Sequence, residues 1–437
     1  MTIRFNFLVA QARAQWAALL LLASLVTIVF VHREGDHLHV GLPYVYLGDE
    51  VHYLVALNSV LWDGDVELGN NYARASLGHV DQGIHRAGQM LDHHTYLRSF
   101  TGTVHQQKGL FSAFQERADV DSAGRPRPRV KRVPKGGLLP DEYSWHPSYP
   151  LYLLAPFLSI LPRTAVEPAV IGLIALLTFL AALRFRELCS VFVPSPFYID
   201  LGMLAVFVGT PVVFYSRALF PESVFVILVV LACHSCIVRG HWLQPALYMM
   251  LAAALKPPAA LLAVPVILLA ASVDLRKSLA IFTLVCVGVW FSFFELRGLK
   301  GVMQSGTVVD PERLIELSSL AYMPSANLFH PRYGLFMFAP VLLISLVGWI
   351  PLSRRFPKEA GAFLAGVLLN FAFLCLISFY GSSYAGRYQV PFVPLLGVGF
   401  VGVWFFPPRV RQVLLAAFTV LLVISVAINI RGTLWAT

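Results

Sequence analysis

Two adjacent carboxylates are the first candidates for chemistry in this chain. Asp49 and Glu50 lie in the run Gly48-Asp49-Glu50-Val51-His52-Tyr53, just after the first long apolar segment. Acidic residues are costly near a bilayer, so in membrane proteins they usually have a functional role. A carboxylate at the boundary between lipid and water can act as a general base toward a hydroxyl group. The pair predicts an active site at the membrane surface and not a pore through the bilayer centre.

Further ionisable residues occur at the predicted ends of later apolar segments. These residues are the carboxylate Glu222 and the cations Arg217, Lys256, Arg332 and Arg387. Lysine and arginine stabilise the negative charge on a departing phosphate, and arginine can do so with two hydrogen bonds. Carboxylates and fixed cations from different segments therefore predict transfer of a group from a lipid-linked phosphate to an acceptor hydroxyl.

The same residues also allow structural interpretations. The four cations could be interfacial anchors whose charged heads reach the lipid headgroups. Asp49 could cap a helix that starts near Val51, and Glu222 could cap the apolar segment that follows it. His52 could join the acidic pair in a metal site, but a single histidine seldom ligates a metal. We therefore predict no metal and no other cofactor.

The composition places the chain among membrane proteins. Of its 437 residues, 57% are hydrophobic and only 13% are charged, and the apolar residues form long blocks. A soluble domain rarely has this composition. The net charge of +9 does not indicate a nucleic-acid partner, because most basic residues flank apolar segments, where they set orientation or contact membrane lipids.

Apolar segments recur along the whole sequence. They fall at about 16–31, 165–183, 198–215, 221–238, 242–255, 257–272, 277–296, 334–351, 361–380, 388–406 and 411–429. Pro257-Pro258 should separate two short helices, because proline lacks the backbone donor that a helix needs. We expect an all-α polytopic membrane protein with about eleven transmembrane helices, forming one domain over residues 1–437.

One shorter apolar run, residues 148–161, is interpreted differently. Its 14 residues are too few to cross a bilayer comfortably. If it does not cross, the basic residues that flank the later segments all face the cytoplasm, as the positive-inside tendency requires. We therefore predict a juxtamembrane helix against the outer leaflet.

This topology leaves two large outer loops, about 32–147 and about 297–333. Long loops are often functional. Within the first loop, the segment 125–135 is basic and rich in proline. It is either a solvated, mobile stretch or a contact for anionic lipid or an acidic acceptor.

Several short motifs recur at the predicted outer ends of the apolar segments. They are Gly48-Asp49-Glu50-Val51-His52-Tyr53-Leu54 with Asp63-Gly64-Asp65 and Asn70-Asn71-Tyr72, then His146-Pro147-Ser148-Tyr149-Pro150-Leu151-Tyr152, Phe220-Pro221-Glu222, Lys256-Pro257-Pro258, Pro331-Arg332-Tyr333-Gly334-Leu335-Phe336 and Gly386-Arg387-Tyr388-Gln389-Val390-Pro391-Phe392-Val393-Pro394. Taken together, they resemble those of the GT-C class of membrane glycosyltransferases. Within that class the chain looks similar to bacterial relatives of the protein O-mannosyltransferases and of the lipid A aminoarabinose transferase. The order and spacing of these motifs cover most of residues 1 to about 400.

The resemblance implies a role for each matching residue. Asp49 would be the catalytic base, with Glu50 beside it and Glu222 as a second acidic residue of the site. Lys256 and Arg387 would hold the donor phosphate, assisted by Arg332 and, from its position, by Arg217. The substrate loops would include His52, Tyr53, His146 and Tyr388.

The resemblance also implies the substrates and the location. The donor would be a polyprenyl-phosphate sugar, and the configuration at the sugar carbon would invert without a metal ion. The acceptor would be a glycolipid, a polysaccharide or a protein. The enzyme would lie in the inner (cytoplasmic) membrane of a bacterium, with its site facing the periplasm or exterior.

Two other classes of function remain open from the sequence. A secondary transporter would have ionisable residues near the bilayer midplane and repeated halves. Here the charges lie at segment ends, and Asn370 and His234 are the most polar residues inside the segments. A lipid-binding scaffold of the cell envelope would bind polyprenyl phosphate and tolerate the loss of Asp49.

Overall fold

The computed structural model describes residues 2–34, 37–40, 53, 57, 61, 89–91, 95–98, 103–106, 130–132, 154–298, 320–331, 333–376 and 385–435. The described chain is predominantly helical. Its α-helices are Thr2–Phe30, Ala155–Leu158, Arg163–Ser190, Pro196–Phe207, Val212–Tyr215, Pro221–Ile237, Leu243–Leu255, Val264–Ala271, Leu275–Gly298, Met323–Phe329, Leu335–Phe338, Leu342–Arg355, Pro357–Leu376, Val393–Gly397 and Pro408–Trp435. Its 3-10 helices are Pro257–Ala263, Arg387–Phe392 and Val398–Phe405.

Five helical stretches in the described part are long and apolar enough to cross a membrane. They are Ala165–Ser190, Leu275–Ser292, Pro357–Leu376, Arg387–Phe405 and Pro408–Gly432. A helix satisfies its own backbone hydrogen bonds, which is why it can cross lipid. The chain is therefore a helical, membrane-embedded protein, as its composition predicts.

The other predicted apolar segments also coincide with helices, but these helices are shorter. Examples are Pro221–Ile237 and Leu243–Leu255, and Trp16–Phe30, which is the apolar part of the helix Thr2–Phe30; each of these stretches has between 10 and 17 residues. The long run around residue 256 is divided at the predicted place. The helix Leu243–Leu255 ends before Lys256, whose backbone is extended, and a 3-10 helix begins at Pro257.

The predicted juxtamembrane helix and the predicted second outer loop are only partly covered by the described residues. Within 148–161 the structure describes the single helical turn Ala155–Leu158, and residues 148–153 lie outside the described part. Within 297–333 it describes the last two residues of Leu275–Gly298, the helix Met323–Phe329 and a few residues beside that helix.

The first large loop contains short strands that the sequence interpretation did not include. The structure describes three antiparallel pairs, each made of strands of three or four residues. Val31–Glu34 pairs with His37–Val40, Gln89–Leu91 pairs with Val130–Arg132, and Thr95–Arg98 pairs with Thr103–Gln106. The basic segment 125–135 is thus described only at its strand residues, 130–132.

Contacts between side chains define two ends of the helix bundle. We call the end where the helix Pro221–Ile237 starts the Glu222 end, and the end where it finishes the His234 end. At the Glu222 end, the side chain of Arg217 donates a hydrogen bond to the carbonyl oxygen of Ile28, 3.1 Å away. Since Ile28 lies in the last turn of Thr2–Phe30, that helix finishes at the Glu222 end.

Several contacts join other helix termini at the His234 end. His234 Nε2 lies 2.7 Å from a carboxylate oxygen of Glu187, near the C-terminus of Arg163–Ser190. The further contacts are the ion pair of Arg186 with Asp200 and the ring pairs Phe192–Phe356 and Tyr198–Trp404. Successive long helices therefore run in alternating directions between the two ends.

The stretch Arg387–Phe405 is the most deeply packed of the five candidate spans, with 83% of it buried. Glycines permit its close approach to the helix Leu342–Arg355. A Cβ atom on Gly402 would lie 2.0 Å from the carbonyl oxygen of Gly348, which no other residue could accommodate without movement. Ser345 and Trp349 both donate hydrogen bonds to the carbonyl oxygen of Leu396. Small residues and interhelical hydrogen bonds are the usual means of tight helix packing in membranes.

The helix Pro408–Trp435 has the opposite character. Only 17% of its candidate span is buried, so most of its apolar surface faces outward. Two buried polar residues attach it to the bundle. The Oγ of Ser425 accepts a hydrogen bond from the backbone N–H of Val341, and Asn429 donates one to the carbonyl oxygen of Phe338.

Candidate active site

Glu222 is the centre of a charged cluster at the Glu222 end. It lies in the first turn of Pro221–Ile237, with Phe220 at the N-cap position and no side-chain hydrogen bond at the cap. Its side chain is only 2% exposed. The predicted alternative, in which Glu222 caps this helix, is therefore not the arrangement observed. Its carboxylate instead faces two basic side chains.

Lys256 supplies the first of these side chains. Its Nζ atom lies 2.9 Å from Oε1 of Glu222 and donates a hydrogen bond to it. The lysine occupies the extended residue between two helices, because the proline pair that follows prevents the helix from continuing. Its side chain remains 34% exposed, so this cation is both paired with the carboxylate and reachable from outside.

Arg387 supplies the second side chain, from the start of the 3-10 helix Arg387–Phe392. Its Nε lies 3.8 Å from the same Oε1 atom of Glu222. The guanidinium carbon is 4.6 Å from the centre of the Phe220 ring, and an Nη atom donates a 2.9 Å hydrogen bond to the Tyr388 hydroxyl. These contacts restrict the guanidinium group, which is only 12% exposed.

The ring of Tyr388 connects the two cations. The Nζ of Lys256 is 4.6 Å from the ring centre, and the guanidinium carbon of Arg387 is 4.9 Å from it. A cation within about 6 Å of an aromatic centroid is attracted by the ring quadrupole. We call Phe220, Glu222, Lys256, Arg387 and Tyr388 the Glu222 cluster.

Among the described residues, the Glu222 cluster contains one carboxylate and two cations. Of the two cations, Lys256 is the more exposed, at 34% against 12% for Arg387. Anions form strong hydrogen bonds with such cations. An anion that arrives from outside would therefore meet the cluster at Lys256.

Two left-handed residues direct Arg387 into the cluster. Ala385 has φ of 50° and Gly386 has φ of 62°. A Cβ on Gly386 would lie 2.4 Å from the carbonyl oxygen of Tyr333, so glycine is required there on two grounds. Alanine rarely adopts a positive φ, and such conformations cluster at functional sites.

A buried pair of amide side chains, Gln389 and Asn327, supports the segment that contains Arg387. The side-chain amide of Gln389 donates hydrogen bonds to the carbonyl oxygen and to Oδ1 of Asn327. Both side chains are fully buried. They fix the 3-10 helix that begins at Arg387 against the helix Met323–Phe329.

On the other side of the cluster, the Ser223 hydroxyl donates hydrogen bonds to the carbonyl oxygens of Tyr215 and Ala218. These bonds hold in place the short segment that precedes Glu222.

Arg217 has a different environment from the other predicted phosphate ligands. Its side chain is buried and bonds to the carbonyl oxygen of Ile28 at the end of Thr2–Phe30. Carbonyl groups in the last turn of a helix lack an intrahelical partner, and arginine commonly satisfies them. This contact gives Arg217 a structural role beside the short segment that leads to Glu222.

The structure thus brings together some of the predicted site residues. Glu222, Lys256, Arg387 and Tyr388 form one cluster, although they are spread over more than 160 positions of the sequence. Tyr53 is described and buried. The predicted site residues outside the described part are Asp49, Glu50, His52, His146 and Arg332. Among the residues that the structure describes, no group of histidine, cysteine, aspartate and glutamate has the arrangement of a metal site.

Sequence reasoning did not assign three supporting residues. Phe220 was part of a motif, but its ring contact with Arg387 was not foreseen. Gln389 was also part of a motif, but its hydrogen bonds to Asn327 were not foreseen. Asn327 gave no signal, because a single asparagine in an outer segment has no pattern that predicts a buried partner.

Comparisons of this chain with protein-family models, with characterised proteins and with solved structures give no match.

Proposed function

We propose that this protein is a glycosyltransferase that moves a sugar from a polyprenyl-phosphate donor to an acceptor hydroxyl. The reaction inverts the configuration at the sugar carbon and needs no metal ion. It takes place at the periplasmic face of a bacterial inner membrane. The acceptor is a glycolipid, a polysaccharide or a protein.

The observation that carries this proposal is the convergence of Lys256 and Arg387 on one carboxylate. The two cations come from a break after one helix and from the start of another, at an end of the bundle where apolar helices terminate. A phosphate on a lipid carrier lies at the same level as helix termini, because its isoprenoid chain stays in the membrane. Fixed cations at that level stabilise the charge that develops as the phosphate departs.

In the proposed reaction, the acceptor hydroxyl attacks the sugar carbon from the side opposite the phosphate. Asp49 removes the hydroxyl proton while the new bond forms. The bond between the sugar carbon and the phosphate oxygen breaks, and its electron pair remains on that oxygen. Lys256 and Arg387 bind the resulting phosphate, and the protonated Asp49 returns its proton to water.

Glu222 acts in this proposal as a positioning residue. Its Oε1 atom already accepts the hydrogen bond of Lys256 and lies near Arg387. A carboxylate in this position holds two like charges close together when no donor is present. When the donor binds, Lys256 exchanges part of its contact with Glu222 for a contact with the donor phosphate. Lys256 can turn toward the substrate in this way because its side chain is partly exposed.

The proposed membrane arrangement has about eleven transmembrane helices and a juxtamembrane segment at 148–161. The coincidence of each predicted apolar segment with helical structure supports it. The distribution of charge supports the orientation, since the cations of the His234 end include Arg184, Arg186, Arg354, Arg355 and Arg411. Basic residues concentrate on the cytoplasmic side of membrane proteins, and this tendency supports an orientation in which the Glu222 end faces outward.

The test is direct transfer of labelled sugar. Purified protein is incubated with a panel of radiolabelled polyprenyl-phosphate sugars and with native membrane lipid or cell-wall extract. The expected result is a new labelled product with the parent protein and its near-complete loss with Asp49→Asn. Asp274→Asn is the matched control, because it makes the same chemical change in a turn at the His234 end and should leave the rate unchanged.

Other results would contradict the proposal in distinct ways. Full activity of Asp49→Asn would exclude the assigned base. Absence of transfer with every donor, together with retained binding of polyprenyl phosphate, would indicate a lipid-binding scaffold. Sugar or ion flux in proteoliposomes without transfer would indicate a secondary transporter.

A further inference from the structure

Basic residues are concentrated in two neighbouring turns at the His234 end. One turn connects Leu342–Arg355 to Pro357–Leu376, and the other leads from Val398–Phe405 into Pro408–Trp435. The rings of Phe356 and Phe405, one from each turn, lie 6.3 Å apart and hold the turns together. We call the cations of these turns the basic patch; they are Arg354, Arg355, Lys358, Arg409 and Arg411.

The basic patch is exposed and has little opposing charge. Arg354, Arg355, Lys358 and Arg409 are all solvent-exposed. Between residues 340 and 412 the sequence contains a single acidic residue, Glu359. The basic patch therefore carries an excess of positive charge on the outside of the protein.

Helix stabilisation does not account for this charge. Arg354 and Arg355 lie in the last turn of their helix, where a cation interacts favourably with the helix dipole. Lys358, Arg409 and Arg411 lie in first turns, where a cation gains nothing from the dipole. The positive-inside tendency accounts for the side of the membrane on which they lie, and their grouping in two adjoining turns offers several cations to one external anion.

Two of the arginines are held in place by aromatic rings. The guanidinium carbon of Arg411 is 5.0 Å from the Trp404 ring centre, and an Nη atom donates to the carbonyl oxygen of Trp404. The guanidinium carbon of Arg355 is 5.0 Å from the Phe405 ring centre. Such contacts reduce the freedom that an arginine would lose on binding, so the patch is organised in advance.

Exposed apolar side chains continue from the basic patch along the same helices. Leu346 and Ile350 are exposed at positions eight and four residues before Arg354, respectively, and therefore lie on the same helix face. Val410 and Val413 are exposed beside Arg409 and Arg411. A cationic turn that adjoins an apolar face matches a phospholipid, whose anionic headgroup and acyl chains are arranged in the same order.

We propose that the basic patch is a binding site for the headgroup of an anionic phospholipid. The site is separate from the Glu222 cluster and independent of the reaction proposed there. The arginines bind the phosphodiester oxygens, and the acyl chains lie against the exposed apolar residues. Binding of the headgroup holds the His234 end of the bundle at the level of the lipid headgroups.

The test uses thermal unfolding of detergent-solubilised protein titrated with dioctanoyl phosphatidylglycerol. Parallel titrations use dioctanoyl phosphatidylcholine and inorganic phosphate. The expected result is saturable stabilisation by phosphatidylglycerol alone. In the variant Arg354→Gln/Lys358→Gln/Arg409→Gln, the apparent affinity should fall about a hundredfold, since each of the three surface cations contributes about fivefold.

A matched variant controls for the loss of charge. Arg239→Gln/Arg276→Gln/Lys277→Gln removes the same number of cations from other turns at the His234 end and should keep the affinity of the parent. The single change Lys358→Glu gives a second measure, with a loss of at least tenfold. Equal stabilisation by phosphatidylcholine or by inorganic phosphate, or an equal loss in both triple variants, would overturn the proposal.

Discussion

The ion pair Arg184–Glu187 at the His234 end and the ion pair Glu222–Lys256 at the Glu222 end differ in kind. At the His234 end, Arg184 and Glu187 are three residues apart on one helix, and their side chains are 39% and 44% exposed. At the Glu222 end, Glu222 and Lys256 are 34 residues apart, and the carboxylate is 2% exposed. The first pair is local and accessible to water, whereas the second requires correct packing of separate helices.

This difference distinguishes stabilisation from function. An exposed ion pair contributes little free energy to folding, because its charges attract weakly in water and lose little hydration when they pair. A buried pair loses the hydration of its charges and is often no better for stability than apolar residues of the same size. The retention of a buried carboxylate between two cations therefore suggests a task other than stability, and three substitutions test this interpretation.

The largest effect is expected for Lys256→Gln. This change removes a charge that is proposed to stabilise the departing phosphate, and losses of such groups reduce rates about a hundredfold to a thousandfold. The initial rate of sugar transfer, at equal amounts of folded protein, measures the effect. Arg184→Gln removes a cation from the His234 end and should change the rate less than about twofold. Similar losses in both variants would contradict the functional distinction between the ends.

The second prediction concerns stability. Glu222→Gln leaves Arg387 and Lys256 without their carboxylate, and breaking a buried pair costs about 3–5 kcal/mol. Arg184→Gln at the His234 end should cost about 1 kcal/mol or less, because it removes only the exposed pair with Glu187. Denaturant unfolding in detergent compares the two variants.

A double variant sharpens this second prediction. Glu222→Gln/Lys256→Gln removes both partners, so it should be more stable than Glu222→Gln alone if the two side chains are coupled. If the losses in the free energy of unfolding of the two single variants simply add up in the double variant, the 2.9 Å contact contributes nothing to the stability of the folded state.

The smallest effect is expected for Gly386→Ala. A side chain there meets the Tyr333 carbonyl oxygen and must also adopt a left-handed backbone. The change should reduce the transfer rate about tenfold by displacing Arg387, with a stability loss of about 2 kcal/mol. Gly240→Ala is the matched control, since Gly240 has φ of 65° but open space around its Cα. It should show only the backbone strain of about 1 kcal/mol and no loss of activity.

Much of the helical architecture could be predicted from the sequence. Long apolar segments specify helices in lipid because no other open structure satisfies the backbone, and proline determines the break at Lys256. Glu222, Lys256 and Arg387 were found because ionisable residues stand out against apolar segments. Their position at segment ends also suggested that they share one end of the bundle.

The contacts among these residues could not be predicted in the same way. That Lys256 bonds to Glu222 while Arg217 bonds to Ile28 depends on how four helices pack, and no local pattern encodes it. The buried pair Asn327 and Gln389 is equally non-local. The short strands between residues 31 and 132 lack the alternation that would have indicated them, since each has only three or four residues.

The outward-facing helix Pro408–Trp435 has a consequence for how the protein assembles. Its hydrogen-bond partners Phe338 and Val341 precede it in the chain, so its docking surface is synthesised before the helix itself. Inside a bilayer, apolar faces alone give little preference for one sliding position over another. Ser425 and Asn429 lie one turn apart, and their hydrogen bonds to Val341 and Phe338 fix the position of the last described helix along its axis. That helix therefore has a single preferred depth of insertion.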